Sequence, residues 1–109
     1  MTAESSSLIE RYAAAIPRLA DDQLAAAVLA LATAGEAADS RAAALKLGVG
    51  HALVLRAIAT LATPPALIGI DRRDHRTQRI FFHVLPAARN SLAMADNSKQ
   101  QKGKNAPTV

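Results

Sequence analysis

Arg72, Arg73, Arg76 and Arg79 fall within a single polar run, Asp71-Arg72-Arg73-Asp74-His75-Arg76-Thr77-Gln78-Arg79. Guanidinium groups stay charged at every ordinary pH, and their planar fork of donors fits phosphate oxygens. An arginine cluster of this density therefore suits a nucleic-acid backbone, although a solvated loop carries such clusters too. Upstream, His51, Arg56 and Thr60 can donate or accept hydrogen bonds from one short helix that also carries Ala52 and Leu53. Base edges are read mostly by hydrogen bonds, with apolar contacts to thymine methyls as the supplement. Both groups of residues thus point toward duplex DNA.

Other chemistries find little support. Ser5, Ser6 and Ser7 form no nucleophile constellation with a base. There is no phosphate-cradling glycine loop and no carboxylate pair, so an enzyme is not expected. Cysteine is absent, which excludes disulfides, thiolate-ligated zinc and thiol redox sensing. His75, His83 and Asp74 lack a helical zinc spacing. Neither a metal nor a cofactor is expected.

The elements that must position these residues can be read from period and punctuation. In Arg41 to Leu61, RAAALKLGVGHALVLRAIATL, Ala43, Ala44 and Leu47 mark the buried side of one helix. Val54, Ile58 and Leu61 mark that of the next. Gly48 stands where a helix stops in a left-handed residue. Val49 can plug the corner, and Gly50 can open the next helix, less strongly than Ser or Thr would. This is a helix-turn-helix, with helices 40–47 and 51–62 and with Asp39 or Ser40 as the cap of the first. Two β-prone runs, 66–70 and 80–85, flank the arginine-rich tip 71–79. Ile80, Phe82 and Val84 alternate with Phe81 and His83, as in a strand with one buried face. His83 is expected to face outward. The connection lacks the signal of a two-residue hairpin turn and suits a projecting wing.

Earlier in the chain, a helix is expected over 8–16, ended by Pro17. Another runs from Asp21-Asp22 to Ala34, with Gly35 as its stop and Leu24, Val28 and Leu31 as its core stripe. Thr63-Pro64-Pro65 closes the fourth helix. A minor strand before helix three and a short helix after Pro86 both fit the pattern. The expected fold is therefore mainly α with a small β-hairpin: a winged helix-turn-helix of four helices followed by a two-stranded wing. Residues 1–7 read as a disordered N-terminus, 8–96 as the winged-helix domain, and 97–109 as a flexible basic tail.

These features, in this order, resemble the MarR-type winged-helix transcriptional regulators over Leu19 to Arg89. The resemblance rests on Asp22-Gln23-Leu24-Ala25 leading the second helix to Ala34-Gly35-Glu36, on Leu47-Gly48-Val49 and Arg56-Ala57-Ile58, and on Leu67-Ile68. It continues in Asp74-His75-Arg76 and Leu85-Pro86-Ala87-Ala88-Arg89. It implies that Asp74 shapes the wing and that Arg76 contacts DNA, with Arg72, Arg73 and Arg79 as phosphate contacts. It also implies dimerisation through the first helix and long helices after the wing. The residues after Arg89 look tail-like, with Leu92, Ala93 and Met94 as their apolar positions, so those later helices are expected to be truncated. Leu8, Ile9, Tyr12 and Ile16 form an apolar stripe that would serve either a homodimer through helix 8–16 or the domain's own core.

Composition agrees with one small domain. The 109 residues are 50% hydrophobic and only 3% aromatic, and both phenylalanines lie in the second wing strand. The formal net charge is +4, with acidic residues prevailing over residues 1–35 and basic ones on the wing and tail. The start, MTAESSS, lacks the basic and apolar regions of a signal peptide. The apolar run 24–32 is far shorter than the ~20 residues of a membrane span. A soluble cytoplasmic protein with no membrane association is expected. The outward arc of helix 51–62 is unusually apolar, with Leu53 and Leu55 on one short helix. The alternative is therefore a winged-helix module that no longer reads DNA and offers this face to a protein partner.

Overall fold

The computed structural model describes the backbone of residues 2–105 and the side chains of residues 2–95. Its elements are α1 (Ala3–Ala15), a 3-10 turn (Pro17–Leu19), α2 (Gln23–Thr33), α3 (Ser40–Leu47), α4 (His51–Ala62), β1 (Ile68–Asp74), β2 (Arg79–Val84) and α5 (Pro86–Asn105). The strands form one antiparallel hairpin. This is the winged helix-turn-helix layout, with a fifth helix after the wing.

The α2 helix is the centre of the core. Residues 25–31 are buried all round, so the expected stripe of Leu24, Val28 and Leu31 is corrected: Leu24 is only half-buried and the alanines are inside. A helix apolar on every face must be wrapped by its neighbours, and α1 and α4 do this. Asp22 begins it by accepting the Ala25 N–H at 3.1 Å. On α1 Leu8 and Tyr12 are buried, as is Ile16 at its C-cap, so the apolar stripe closes this chain's own core. The Tyr12 hydroxyl lies 2.6 Å from Thr33 Oγ1 on α2, and burial raises the phenol's pKa above its ordinary value.

Helical structure extends further toward both ends of the described residues than the sequence suggests. Residues 1–7 are not a disordered segment as described from Thr2 onward, because α1 starts at Ala3. Thr2 and Ser5 form a reciprocal capping box: Thr2 Oγ1 accepts the Ser5 N–H at 3.2 Å and Ser5 Oγ accepts the Thr2 N–H at 3.0 Å. Two orphan donors of the first turn are thereby satisfied. Thr2 also donates to Glu36 at 2.6 Å, holding that carboxyl below its usual range. The expected tail 97–109 is described only in part. The backbone is helical to Asn105, and the rest of that segment lies outside the described residues. Ala88 and Leu92 are buried and α5 packs on α1, after which Lys and Gln are adequate helix formers.

The helix-turn-helix follows the expected bounds. The chain bends by 119° between α3 and α4, within the about 90–120° of this motif. Gly48 adopts φ 67°, ψ 34°, and its N–H donates to the Ala44 carbonyl at 2.9 Å. Asp39, not Ser40, caps α3, accepting the Ala42 N–H at 2.9 Å. The minor strand before α3 exists as one bridge, Asp39 to Phe81. Beyond α4, the Arg18 guanidinium binds the Thr63 and Pro65 carbonyls at 3.1 and 2.6 Å. It thereby ties the exit toward the wing to the 3-10 turn.

Replacing Gly48 tests the motif. A Cβ there meets no atom within 4 Å, so the cost is that of the left-handed backbone alone. Gly48→Ala is expected to lower unfolding free energy by about 1–2 kcal/mol, read as a shifted denaturant midpoint at unchanged m-value.

Candidate nucleic-acid interface

The buried side of α4 is Val54, Ala57, Ile58 and Leu61. Its outer face presents Ala52, Leu53, Arg56 and Ala59 as exposed residues, with Thr60, Leu55 and His51 half-buried at the margins. Leu53 is 46% exposed. Arg56 makes no hydrogen bond or ion pair with any described residue. His51 differs from the other expected contacts. Its Nε2 lies 2.7 Å from the hydroxyl of Ser40, which is fully buried and accepts the Ile80 N–H at 2.9 Å. The first residue of α4 is thus joined through Ser40 to the second wing strand.

The wing strands run further into the tip than expected. The strands extend through Asp74 and from Arg79, so residues 71–79 are not all loop, and only 75–78 form the turn. Asp74 Oδ1 accepts the Arg76 N–H at 3.0 Å, and this bond holds its carboxyl below the ordinary carboxylate range. Gln78 takes φ 63° and donates to the His75 carbonyl at 3.0 Å. The Asp-x-Arg spacing therefore builds the tip through its carboxylate and leaves the Arg76 side chain outside it.

A β-bulge decides where the arginines go. Ile70 pairs with Phe82 but Arg72 pairs with Phe81, so Asp71 is the extra residue. One added residue inverts the inward and outward sets beyond it. Arg73 is turned to the Ile80 side, and lines a groove of about 280 Å³ between α4 and the hairpin with Leu55, Ala59, Ile70 and Gln78. Arg72 is turned to the opposite face, its guanidinium 4.2 Å from the Phe81 ring centroid. Arg79 approaches the same ring at 5.9 Å, and its Nε stands 3.5 Å from Asp39 Oδ1. The four wing arginines are not one cluster. Arg73 and Arg76 face the groove and the tip, whereas Arg72 and Arg79 brace the far face.

The remaining histidines and acids are accounted for locally. His83 is exposed and lies 2.7 Å from Asp71 Oδ1, its ring against Gly69. Among the described residues no three His, Cys, Asp or Glu side chains are grouped to hold a metal. No single helix among them is long and apolar enough to cross a membrane. Sequence reasoning missed Ser40 and Arg41, whose guanidinium lies 3.4 Å from the Thr77 carbonyl at the wing tip. Arg41 was legible as a cation two residues after the helix cap, but its reach to the wing was not. No family model matches the chain, and no curated protein or solved structure matches it either.

Burial, and then the charges of Arg41 and Arg79, hold the His51 imidazole below its ordinary value of 6.5, with Asp39 opposing them. The unfolded chain therefore binds more protons than the native one as pH falls past 6.5, and stability must fall with it. That loss saturates once pH drops below the native-state pKa. Denaturant titrations at pH 8 and pH 5 should show a larger drop for the wild-type protein than for His51→Asn, which cannot titrate there. Equal drops would dismiss the linkage.

Proposed function

We propose that this chain is a small DNA-binding transcriptional regulator of MarR-like type, acting in the cytoplasm. In this reading α4 enters the major groove and the wing lies along the neighbouring backbone or minor groove. One observation carries it. Arg56, Arg73 and Arg76 have no carboxylate partner among the described residues, and they lie on α4, beside the α4–wing groove and at the wing tip. Unpaired guanidiniums on a projecting hairpin next to a helix-turn-helix are what phosphate binding requires. Arg56 is the α4 side chain suited to a guanine edge, with Ala52 and Leu53 suited to thymine methyls. Arg72 and Arg79 serve mainly to stiffen the wing by stacking on Phe81. A second reading, a protein-interaction module, draws on the exposure of Leu53 and on Leu45, which is 83% exposed.

Fluorescence anisotropy with a mixed-sequence duplex at several salt concentrations tests the proposal. Log K should fall by about 0.9 per neutralised phosphate against log salt. Arg76→Ala should reduce that slope, or weaken binding at constant slope if the contact is to a base. Arg56→Ala should cost about 1–3 kcal/mol on a preferred sequence and relax discrimination. Leu53→Ser should change DNA binding little beside these. Absence of duplex binding even at low salt would favour the protein-interaction reading. There Leu53 as a central anchor would be worth about 2 kcal/mol or more.

A further inference from the structure

The Ser40 hydroxyl lies between two partners and is closed to water. The Ile80 N–H can only donate, so Ser40 Oγ accepts it at 2.9 Å. The second partner, His51 Nε2 at 2.7 Å, is a donor or an acceptor according to tautomer. If Nε2 carried the proton, Ser40 Oγ would accept twice and its own hydrogen would be buried with no acceptor among the described residues. A buried donor left unmade is costly. The arrangement that satisfies every group has Ser40 donating to an unprotonated Nε2, and the ring proton is then on Nδ1. His51 Nδ1 has no partner among the described residues. It is not a buried unpartnered atom either, since Arg79 Nε is the one such side-chain atom among the described residues. Nδ1 therefore keeps some exposure to solvent on a half-buried ring.

We infer that Ser40 is a positioning residue that locks His51 in the neutral Nδ1–H tautomer. The first residue of α4 then offers one outward N–H donor to an acceptor on DNA, a phosphate oxygen or a base edge. The DNA part rests on the proposed function; the tautomer does not. The surroundings agree. Arg41 from α3 and Arg79 from β2 disfavour an imidazolium, and Asp39 is the acid that opposes them. Asp39 Oδ1 already accepts the Ala42 N–H and stands 3.5 Å from Arg79 Nε. His51 thus acts as an uncharged hydrogen-bonding group among arginines that supply the charge.

Long-range proton–nitrogen correlation spectra of the full chain, free of DNA at pH 8, read the tautomer directly. The expected spectrum has His51 Nδ1 in the protonated range and Nε2 in the lone-pair range. Ser40→Ala should move the ring toward the Nε2–H form, a change that loss of packing alone does not produce. An Nε2–H ring in the wild-type protein overturns the assignment, whether or not Ser40→Ala folds. With duplex DNA at pH 8, His51→Leu should weaken binding roughly two- to tenfold, the range of one net hydrogen bond, at unchanged salt slope. His51→Asn, which keeps an N–H near the Nδ1 position, should lose less. A loss equal across sequences assigns a phosphate acceptor, and a loss confined to one sequence assigns a base. A salt slope reduced by about 0.9, or equal losses in both variants, overturns the neutral-donor role. Absence of binding by the wild-type protein would overturn the DNA reading, with the tautomer still decided by the spectra of the free chain.

Discussion

The outer edge of β2 sets the arrangement of this domain. Ile80 and Phe82 are buried, and their N–H groups point away from β1, so each needs a partner other than water. The segment before α3 supplies both. Phe82 N–H donates to the Ala38 carbonyl at 3.0 Å and Ile80 N–H to Ser40 Oγ at 2.9 Å. Between them, Asp39 caps α3 and meets Arg79. The start of the helix-turn-helix and the root of the wing are thereby one hydrogen-bonded unit. Because Gly48 then fixes the bend into α4, the groove between α4 and the hairpin has its width set by the same contacts.

Within that frame the bulge at Asp71 divides labour among residues that look alike. Without it, Arg72 would continue the inward set of Ile68 and Ile70. The extra residue instead sends Arg72 outward onto Phe81 and Arg73 toward α4. A guanidinium on an aromatic face gains about 0.5–1 kcal/mol at an exposed site, enough to prefer one rotamer. An arginine beside an open groove keeps its donors free. Asp71 also meets His83 at 2.7 Å, so the residue that breaks the register is itself held.

The alanine-rich core fits this economy of large side chains. The tight approach of α1 and α4 to α2 relies on small residues, with Tyr12, Leu19, Leu29 and Leu31 filling what they leave. Few aromatics are needed because the single large ring in the core from the wing, Phe82, meets helices that lie close. Polar residues at both chain ends then extend helices whose inner turns are anchored in that core. Thr2 and Ser5 do so by capping, and Ala88 and Leu92 by burial.

Local signals made α2, α3, α4 and the buried face of β2 legible in the sequence, because helix period, the Gly48 stop and strand alternation act over a few residues. The expected ends of α3 and α4 coincide with those observed. The capping box of Thr2 and Ser5 is local too, yet a run of serines has the composition of a disordered segment. What no local signal could give were pairings across distance. The Ser40 to Ile80 bond spans 40 positions, and the bulge is defined only by which residue of β2 stands opposite. The sequence by itself determined a helix-turn-helix with an arginine-rich hairpin behind it. Tertiary structure decided which arginines are free, which are braced, and that His51 is held by Ser40, because edge pairing and register are properties of two strands rather than one.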